Sequence, residues 1–214
     1  MESKNLKVEP WPLSDLIVDV GRGKLRIPQF QRDFVWEKSR VIKLLDSMYK
    51  DFPIGSFFFW IAPKEYNIFY RDIPELKIKP FDNSEVTFIL DGQQRITSLY
   101  ATIKGLTIRK TSYYDICFDL DKEIFVARKG DHLRYIPFAD FFSDNNLEIY
   151  NNLTDERKKI FQRCKDKFSN YPFSHNSGGR RSFFIKLSKC IFRILSIPEG
   201  KLGKIPAGLF QTLF

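Results

Sequence analysis

Two short apolar runs constrain this chain most: Phe57-Phe58-Phe59-Trp60-Ile61 and Val86-Thr87-Phe88-Ile89-Leu90. Turn formers bound both, with Pro53, Gly55 and Pro63 around the first and Asp91-Gly92 after the second. Runs this short cannot cross a bilayer as helices, which need about 20 apolar residues. They are also short for buried helices, so both read as strands buried on both faces of a sheet. Strands of that kind need helices packed over them. The sequence supplies a clear one over 38–50, where Val41, Leu44, Leu45 and Met48 recur at three- and four-residue spacing.

The remaining elements follow the same logic. Ser14 suits the cap of a short helix with Leu16, Ile17 and Val20 on its apolar side, ended by Gly21 and Gly23. Residues 24–27 alternate as a short strand, and 66–70 are a candidate partner for the 57–61 strand. Ile96, Leu99, Tyr100 and Ile103 mark a helix face stopped by Gly105. Residues 113–120 and 123–127 read as a hairpin turned near Asp121-Lys122, 137–142 as a short helix and 147–168 as a longer one. The expected fold is α+β, equally describable as α/β.

Composition supports a sizeable core, with 43% hydrophobic residues and 22 phenylalanines. The net charge of +9 suggests a polyanionic partner, but it is unevenly placed. Residues 175–214 hold seven Lys/Arg against one acid, leaving 28 against 25 elsewhere. Overall basicity therefore carries no claim about nucleic acid. Three separated cysteines and two distant histidines offer neither a disulfide framework nor a His/Cys zinc site. Residues 1–11 lack the apolar stretch of a signal peptide, and a reducing cytoplasm is the expected setting.

The chemistry-bearing segment is Asp91-Gly92-Gln93-Gln94-Arg95, where a strand enters a helix. A helix start offers unpaired N–H groups and partial positive charge, which suit phosphate. Gly92 allows close backbone approach, Arg95 can grip phosphate oxygens, and Gln93, Gln94, Thr97 and Ser98 add polar groups. Asp91 can hold Mg²⁺ or accept a proton from water. The same residues also suit a plain helix-start turn, with Asp91 capping and Arg95 paired to a surface acid. No GxxxxGK[ST] phosphate loop occurs. A second polar segment, Ile27-Pro28-Gln29-Phe30-Gln31-Arg32, lies between a strand and a helix, with Phe30 and Trp36 as apolar anchors. It can face the same cleft or stand as a solvated loop.

Weaker signals have plainer readings. Asp119-Leu120-Asp121 suits a hairpin tip better than a metal pair, and His132 a surface loop better than a catalytic base. The 57–60 aromatics suit a core strand better than a base-stacking platform, and the charges of 155–159 suit a solvated helix face.

Together these blocks resemble the DUF262 domain, the ParB/sulfiredoxin-like N-terminal module of GmrSD-type modification-dependent restriction systems. The resemblance rests on Ile27-Pro-Gln-Phe-Gln-Arg32 with Trp36, on Leu45-Asp-Ser-Met48 leading to Pro53-Ile-Gly55 and Trp60, and on the stretch from Ile89 through the Asp91 motif to Leu99. It covers residues 10–142 and extends more loosely to 174. It implies a small mixed sheet flanked by helices, with a helical C-terminal extension. It also implies nucleoside triphosphate hydrolysis, with Mg²⁺ as the expected metal, coupled to sensing of modified DNA. An HNH nuclease domain or subunit elsewhere would make the cut. On this reading Asp91, Gln94 and Arg95 are catalytic, and Gln29, Gln31, Arg32, Gly92, Gln93, Arg95 and Thr97 bind nucleotide. Sulfiredoxin's catalytic cysteine has no counterpart, since a glutamine stands there.

The expected organisation is a nucleotide-binding domain over 1–142, a helical extension over 143–174 and an atypical basic tail over 175–214. Asn176-Ser177-Gly178-Gly179 echoes the end of a family F-x-R-I-N-x-x-G stretch whose earlier part is missing. The tail thus reads as disordered, truncated or frameshifted. The rival readings are a non-hydrolysing regulatory or DNA-binding partner of an HNH nuclease, a nuclease in its own right, and an inactive fragment.

Overall fold

A computed structural model describes residues 6–8, 11–76, 78, 85–171 and 184–188, with the backbone alone for 6–8, 74 and 184–188. The strands are β1 (Leu6–Val8), β2 (Leu25–Pro28), β3 (Phe57–Pro63), β4 (Tyr70–Arg71), β5 (Glu85–Asp91), β6 (Thr107–Ile108), β7 (Thr111–Ser112), β8 (Ile116–Asp119), β9 (Ile124–Ala127), β10 (Tyr135–Pro137) and β11 (Phe184–Ser188). The helices are α1 (Leu13–Gly21), α2 (Lys38–Tyr49), α3 (Gln93–Ile103), α4 (Asn146–Asn151) and α5 (Asp155–Ser169). The fold is α+β, as expected.

Six strands form a mixed sheet in the order β1-β11-β3-β5-β2-β4. The two apolar runs lie side by side at its centre, β3 antiparallel to β5, with a register shift between Phe58 and Phe59. Strand β2 runs parallel to β5, and β4 pairs antiparallel with β2. The expected partnership of 66–70 with the first run is therefore corrected. Lys64–Ile68 is a 3-10 helix, and the chain returns to the sheet at β4, with β5 and β2 lying between it and β3. Two consecutive apolar stretches resemble a hairpin in sequence, but Pro63 ends β3 with its φ at −56°, and the 3-10 turn carries the chain across the sheet.

Burial sharpens the strand reading. Val86, Thr87, Phe88 and Ile89 are all buried, as a central strand requires. Strand β3 instead buries Phe57, Phe59 and Ala62 and leaves Phe58, Trp60 and Ile61 half-covered, so it is not buried on both faces. One sheet face carries the main core under α1, α2 and α3. The other carries a small cluster of Ala62, Val86 and Phe88, where Trp60 stacks on Phe88 at 5.5 Å and meets Tyr66 edge-on at 5.4 Å.

Helix α2 matches its sequence pattern, burying Val41, Leu44, Leu45 and Met48. Helix α1 starts at Leu13, so Ser14 lies inside its first turn and Pro12 takes the cap position. The hairpin β8–β9 forms with β10 a second antiparallel sheet that α2 packs against. Many phenylalanines gather here: Phe138 meets Phe168 at 4.7 Å, and Phe141 stacks on Phe161 at 4.4 Å. Such pairs add about 0.5–1.5 kcal/mol each beyond area burial. The expected 147–168 helix is broken in two, with Thr154 capping α5 by accepting the Arg157 N–H at its hydroxyl. The 3-10 helix Phe138–Phe142 matches the expected short helix over 137–142.

Residues 175–214 gave no trusted strand period, yet Phe184–Ser188 forms β11, parallel to β3 and antiparallel to β1. The Asn176–Gly179 echo lies outside the described residues.

Candidate functional site

The junction of β5 and α3 is set by Gly92, which holds φ +90°, a left-handed value that side chains rarely adopt. A Cβ there would also run into the Phe57 ring. The open side of Gly92 is thus filled by protein. This glycine serves the turn and its packing rather than close approach of a ligand to that face.

Arg95 sits one turn into α3, and its side chain is only 15% exposed. One terminal nitrogen donates to the Ile54 carbonyl; the other donates to Ser56 O at 2.7 Å and to Asp91 Oδ2 at 2.9 Å. The guanidinium lies 4.5 Å from the Phe57 ring centroid. Gly55, at φ +85°, makes room for it, since a Cβ there would stand 2.6 Å from Nη1. Burial holds its pKa below the ordinary arginine value, with Asp91 opposing that shift. Arg95 rivets the 54–56 loop to the helix start, and both terminal nitrogens are engaged.

Gln94 is also committed. It is buried, accepts a hydrogen bond from Val35 N at 2.9 Å and donates to Asp33 O at 2.8 Å. Gln31 donates to Leu90 O at 2.6 Å, at the end of β5. These two amides sew the 29–36 loop onto the β5–α3 turn, so the structure brings the two polar segments together. Phe34 is the buried anchor of this loop, packed 5.9 Å from Tyr113, while Trp36 is half-buried.

The remaining residues divide clearly. Gln93 is buried, and its Nε2 has no hydrogen-bond acceptor among the described residues. The first-turn N–H groups of a helix have no intrahelical partners, and at α3 no capping side chain takes them. Asp91 is exposed on the rim, 60% accessible, paired only with Arg95 among the described residues. Arg32 is exposed and makes no ion pair among the described residues. Gln29 is exposed at the far end of the loop, near Ile68. Thr97 is buried one turn further on, lining a mainly apolar hollow with Arg71, Ile73 and Ile96.

Sequence reasoning missed three charged groups beside this junction. Asp33 accepts from Arg71 and from Arg109 at 2.8 Å, and Arg109 also donates to Phe34 O at 3.2 Å. Arg71 sits on a two-residue strand, and Arg109 in a turn without glycine, so neither had a sequence signal. Elsewhere, Asp119 is a structural acid clasped by Arg134 Nε at 2.9 Å and Nη2 at 2.8 Å. His132 does have a neighbour, Asp140 Oδ2 at 3.5 Å. No group of three His, Cys, Asp or Glu among the described residues is placed to hold a metal. None of the described helices is long and apolar enough to cross a membrane.

Fold and site together define an α+β module whose central helix begins uncapped and buried against a polar loop. The sequence matches the GmrSD restriction endonuclease, N-terminal domain family over residues 13–196. The chain belongs to that family and is a module of the restriction-system type. The match runs past 174, into the segment that sequence reading set apart. The chain is also similar to an uncharacterised protein of Methanocaldococcus jannaschii, 32% identical over 117 residues. That stretch is 51% of this chain and 20% of the archaeal protein.

Proposed function

We propose that this chain binds and hydrolyses a nucleoside triphosphate at the start of α3, as the nucleotide module of a modification-dependent restriction system. The observation that carries the reading is the buried Gln93 amide without an acceptor, set beside an uncapped helix start. A buried donor left unpaired costs about 1–3 kcal/mol, so such a group calls for a ligand. Phosphate oxygens would supply the acceptors that this helix end lacks.

Residue roles follow from the geometry. Gln93 Nε2 and the first-turn N–H groups would take phosphate oxygens. Arg32 would approach from the facing loop and offset charge. Asp91 is the rim carboxylate for Mg²⁺, which needs one or two such ligands beside substrate phosphates. The metal would neutralise charge on the phosphates, and Asp91 suits it by its exposure. Gln94 and Arg95 act as positioning residues, because their polar groups already hold the 33–35 and 54–56 loops.

That last point favours a second reading, in which nucleotide binds without turnover and switches a partner. Multiple-turnover phosphate release by the full chain, with MgATP and MgGTP, separates the two. Release that falls at least tenfold in Asp91→Ala and Gln93→Met supports hydrolysis. Binding without release supports the switch, and equal release in all three proteins removes the site. In either case a nuclease domain or subunit outside this chain would cut, and modified DNA would raise the rate. Action in the cytoplasm, where phage DNA arrives, fits this role.

A further inference from the structure

Three segments converge on one carboxylate beside the site. Asp33 lies on the loop that faces α3. Its Oδ1 accepts from Arg71 Nη1 of β4, and its Oδ2 accepts from Arg109 Nη2 at 2.8 Å. Arg109 and Lys110 form the tip of the β6–β7 hairpin, with φ of +47° and +68°. Positive φ at two successive residues marks a primed hairpin turn, normally filled by Asn and Gly. Ordinary side chains there carry strain, which is kept where a side chain must be aimed. Here the turn aims a guanidinium at Asp33.

The charges do not balance. Arg71 and Arg109 both hold this single carboxylate, and Arg32, the preceding residue of the loop, is exposed and makes no ion pair among the described residues. The cluster is open to solvent, with Arg71 34%, Asp33 46% and Arg109 58% exposed. A carboxylate held between two guanidinium groups has the geometry in which arginines hold a phosphate. The Arg109 hydrogen bond keeps the Asp33 carboxyl below its ordinary pKa, so it is ionised and serves as an anion.

We propose that Asp33 is a built-in occupant of a polyphosphate site formed by Arg71, Arg109 and Arg32, and that an incoming nucleotide displaces it. This inference rests on the nucleotide reading of the cleft. It goes beyond that reading by assigning the cations that take the distal phosphates and the group that holds them in the resting state. The displacement has a route to the helix. Gln94 bonds the Asp33 carbonyl and the Val35 N–H, so moving the Asp33 side chain loads the amide that ties the loop to α3.

An internal anion competes with an external one, so its removal should tighten binding. Inorganic triphosphate is titrated calorimetrically into the full chain at fixed ionic strength, in wild type, Asp33→Asn, Arg109→Ala and the double variant. A short DNA duplex is titrated in parallel. Asp33→Asn is expected to bind triphosphate at least tenfold more tightly than wild type, and Arg109→Ala at least tenfold more weakly. The double variant should bind more weakly than Asp33→Asn alone. Unchanged or weaker binding in Asp33→Asn overturns the proposal, because the carboxylate is then only a strut for the arginines. A gain confined to the duplex also overturns it and assigns the cluster to nucleic acid. If Asp33→Asn does not fold, Arg109→Ala decides, since its hairpin tip is exposed; unchanged affinity overturns the proposal. Wild-type binding that Gln93→Met abolishes, with Asp33→Asn and Arg109→Ala unaltered, leaves the nucleotide reading standing and this inference refuted. No binding of triphosphate or MgATP by any of the proteins refutes the nucleotide reading itself.

Discussion

Arg95 and Gln93 are two residues apart and behave oppositely. Arg95 has its terminal nitrogens bonded to Ile54, Ser56 and Asp91 and rests on Phe57. Removing it leaves two carbonyls without their charged donor. Arg95→Ala is therefore expected to lower unfolding free energy by about 2–3 kcal/mol in urea titrations. Arg95→Lys should recover little of this, because one ammonium cannot reproduce a planar fork spread over two carbonyls and a carboxylate. Unaltered stability in Arg95→Ala would show that the rivet is idle and return Arg95 to ligand binding. Gln93 has a buried donor with no acceptor among the described residues. Gln93→Met removes that donor at similar volume, so stability should stay within about 1 kcal/mol of wild type or rise. Nucleotide affinity should fall at least tenfold in the same protein. A loss of function without a loss of stability marks a ligand-facing group, whereas loss of both marks a strut. An activity assay on Arg95→Ala alone would confuse the two.

At the scale of elements, α2 has a one-signed solvent face. Its core side is Val41, Leu44, Leu45 and Met48; its exposed side carries Arg40 and Lys43, with Lys50 at the C-terminal cap and the exposed acids Glu37 and Asp51 lying just outside the helix. Asp46 lies at the edge and accepts from Phe125 N at 2.9 Å. None of the three cations forms an ion pair among the described residues. A row of this kind fits the phosphate backbone of DNA, the partner proposed for this module. The triple variant Arg40→Ala, Lys43→Ala, Lys50→Ala should bind DNA more weakly. Its dependence on salt should flatten by about 0.9 for each phosphate that is no longer neutralised. Stability should change by no more than about 0.5 kcal/mol per site, since all three are surface positions. An unchanged salt slope would remove α2 from the DNA interface. Local pattern made α2 readable, because its period and its burial agree. The same pattern misled for α3, where Ile96, Leu99, Tyr100 and Ile103 suggested one apolar face, yet ten of eleven residues are buried. Ser98 and Thr102 tolerate this by bonding back to the Gln94 and Ser98 carbonyls, a local solution that hydrophobic period does not register. The β5–α3 motif and its companion loop were legible as segments, and their meeting was expected. The Asp33, Arg71 and Arg109 cluster was not, because it depends on β4 pairing with β2 rather than with β3 and on a turn without glycine.

Across the whole molecule, ion pairs tie the second sheet to the helices that close the core. Asp119 at the end of β8 is clasped by Arg134, and Asp121 receives Arg134 at 3.2 Å and Arg157 of α5 at 3.0 Å. Asp119 is the pivotal group, since its side chain is almost fully buried. Burial pushes its carboxyl up, but the Arg134 hydrogen bonds and the N–H groups of Asp121 and Lys122 outweigh burial and leave it below the ordinary range. A carboxylate depressed in the folded state contributes stability that is present above its unfolded pKa of about 3.9. That contribution is lost as pH falls from there through the lower folded value. Removing Arg134 while Asp119 stays buried leaves a charge without its main partner, although two backbone donors remain. Arg134→Gln should therefore lower the urea midpoint of unfolding at pH 7, as breaking a buried pair does. The difference from wild type should shrink towards low pH, as Asp119 is protonated first in the folded variant, which lacks the Arg134 hydrogen bonds, and then at the lower folded value of wild type; protonation of the unfolded chain is common to both. Asp46, raised by burial, runs the other way and favours the folded state at low pH, but it is present in both proteins and cancels from the difference. Urea unfolding of wild type and Arg134→Gln between pH 3 and pH 7 tests this. A difference that stays constant across the range would mean that Arg134 acts by packing on Tyr135, which its guanidinium approaches at 4.8 Å, and not through the Asp119 charge.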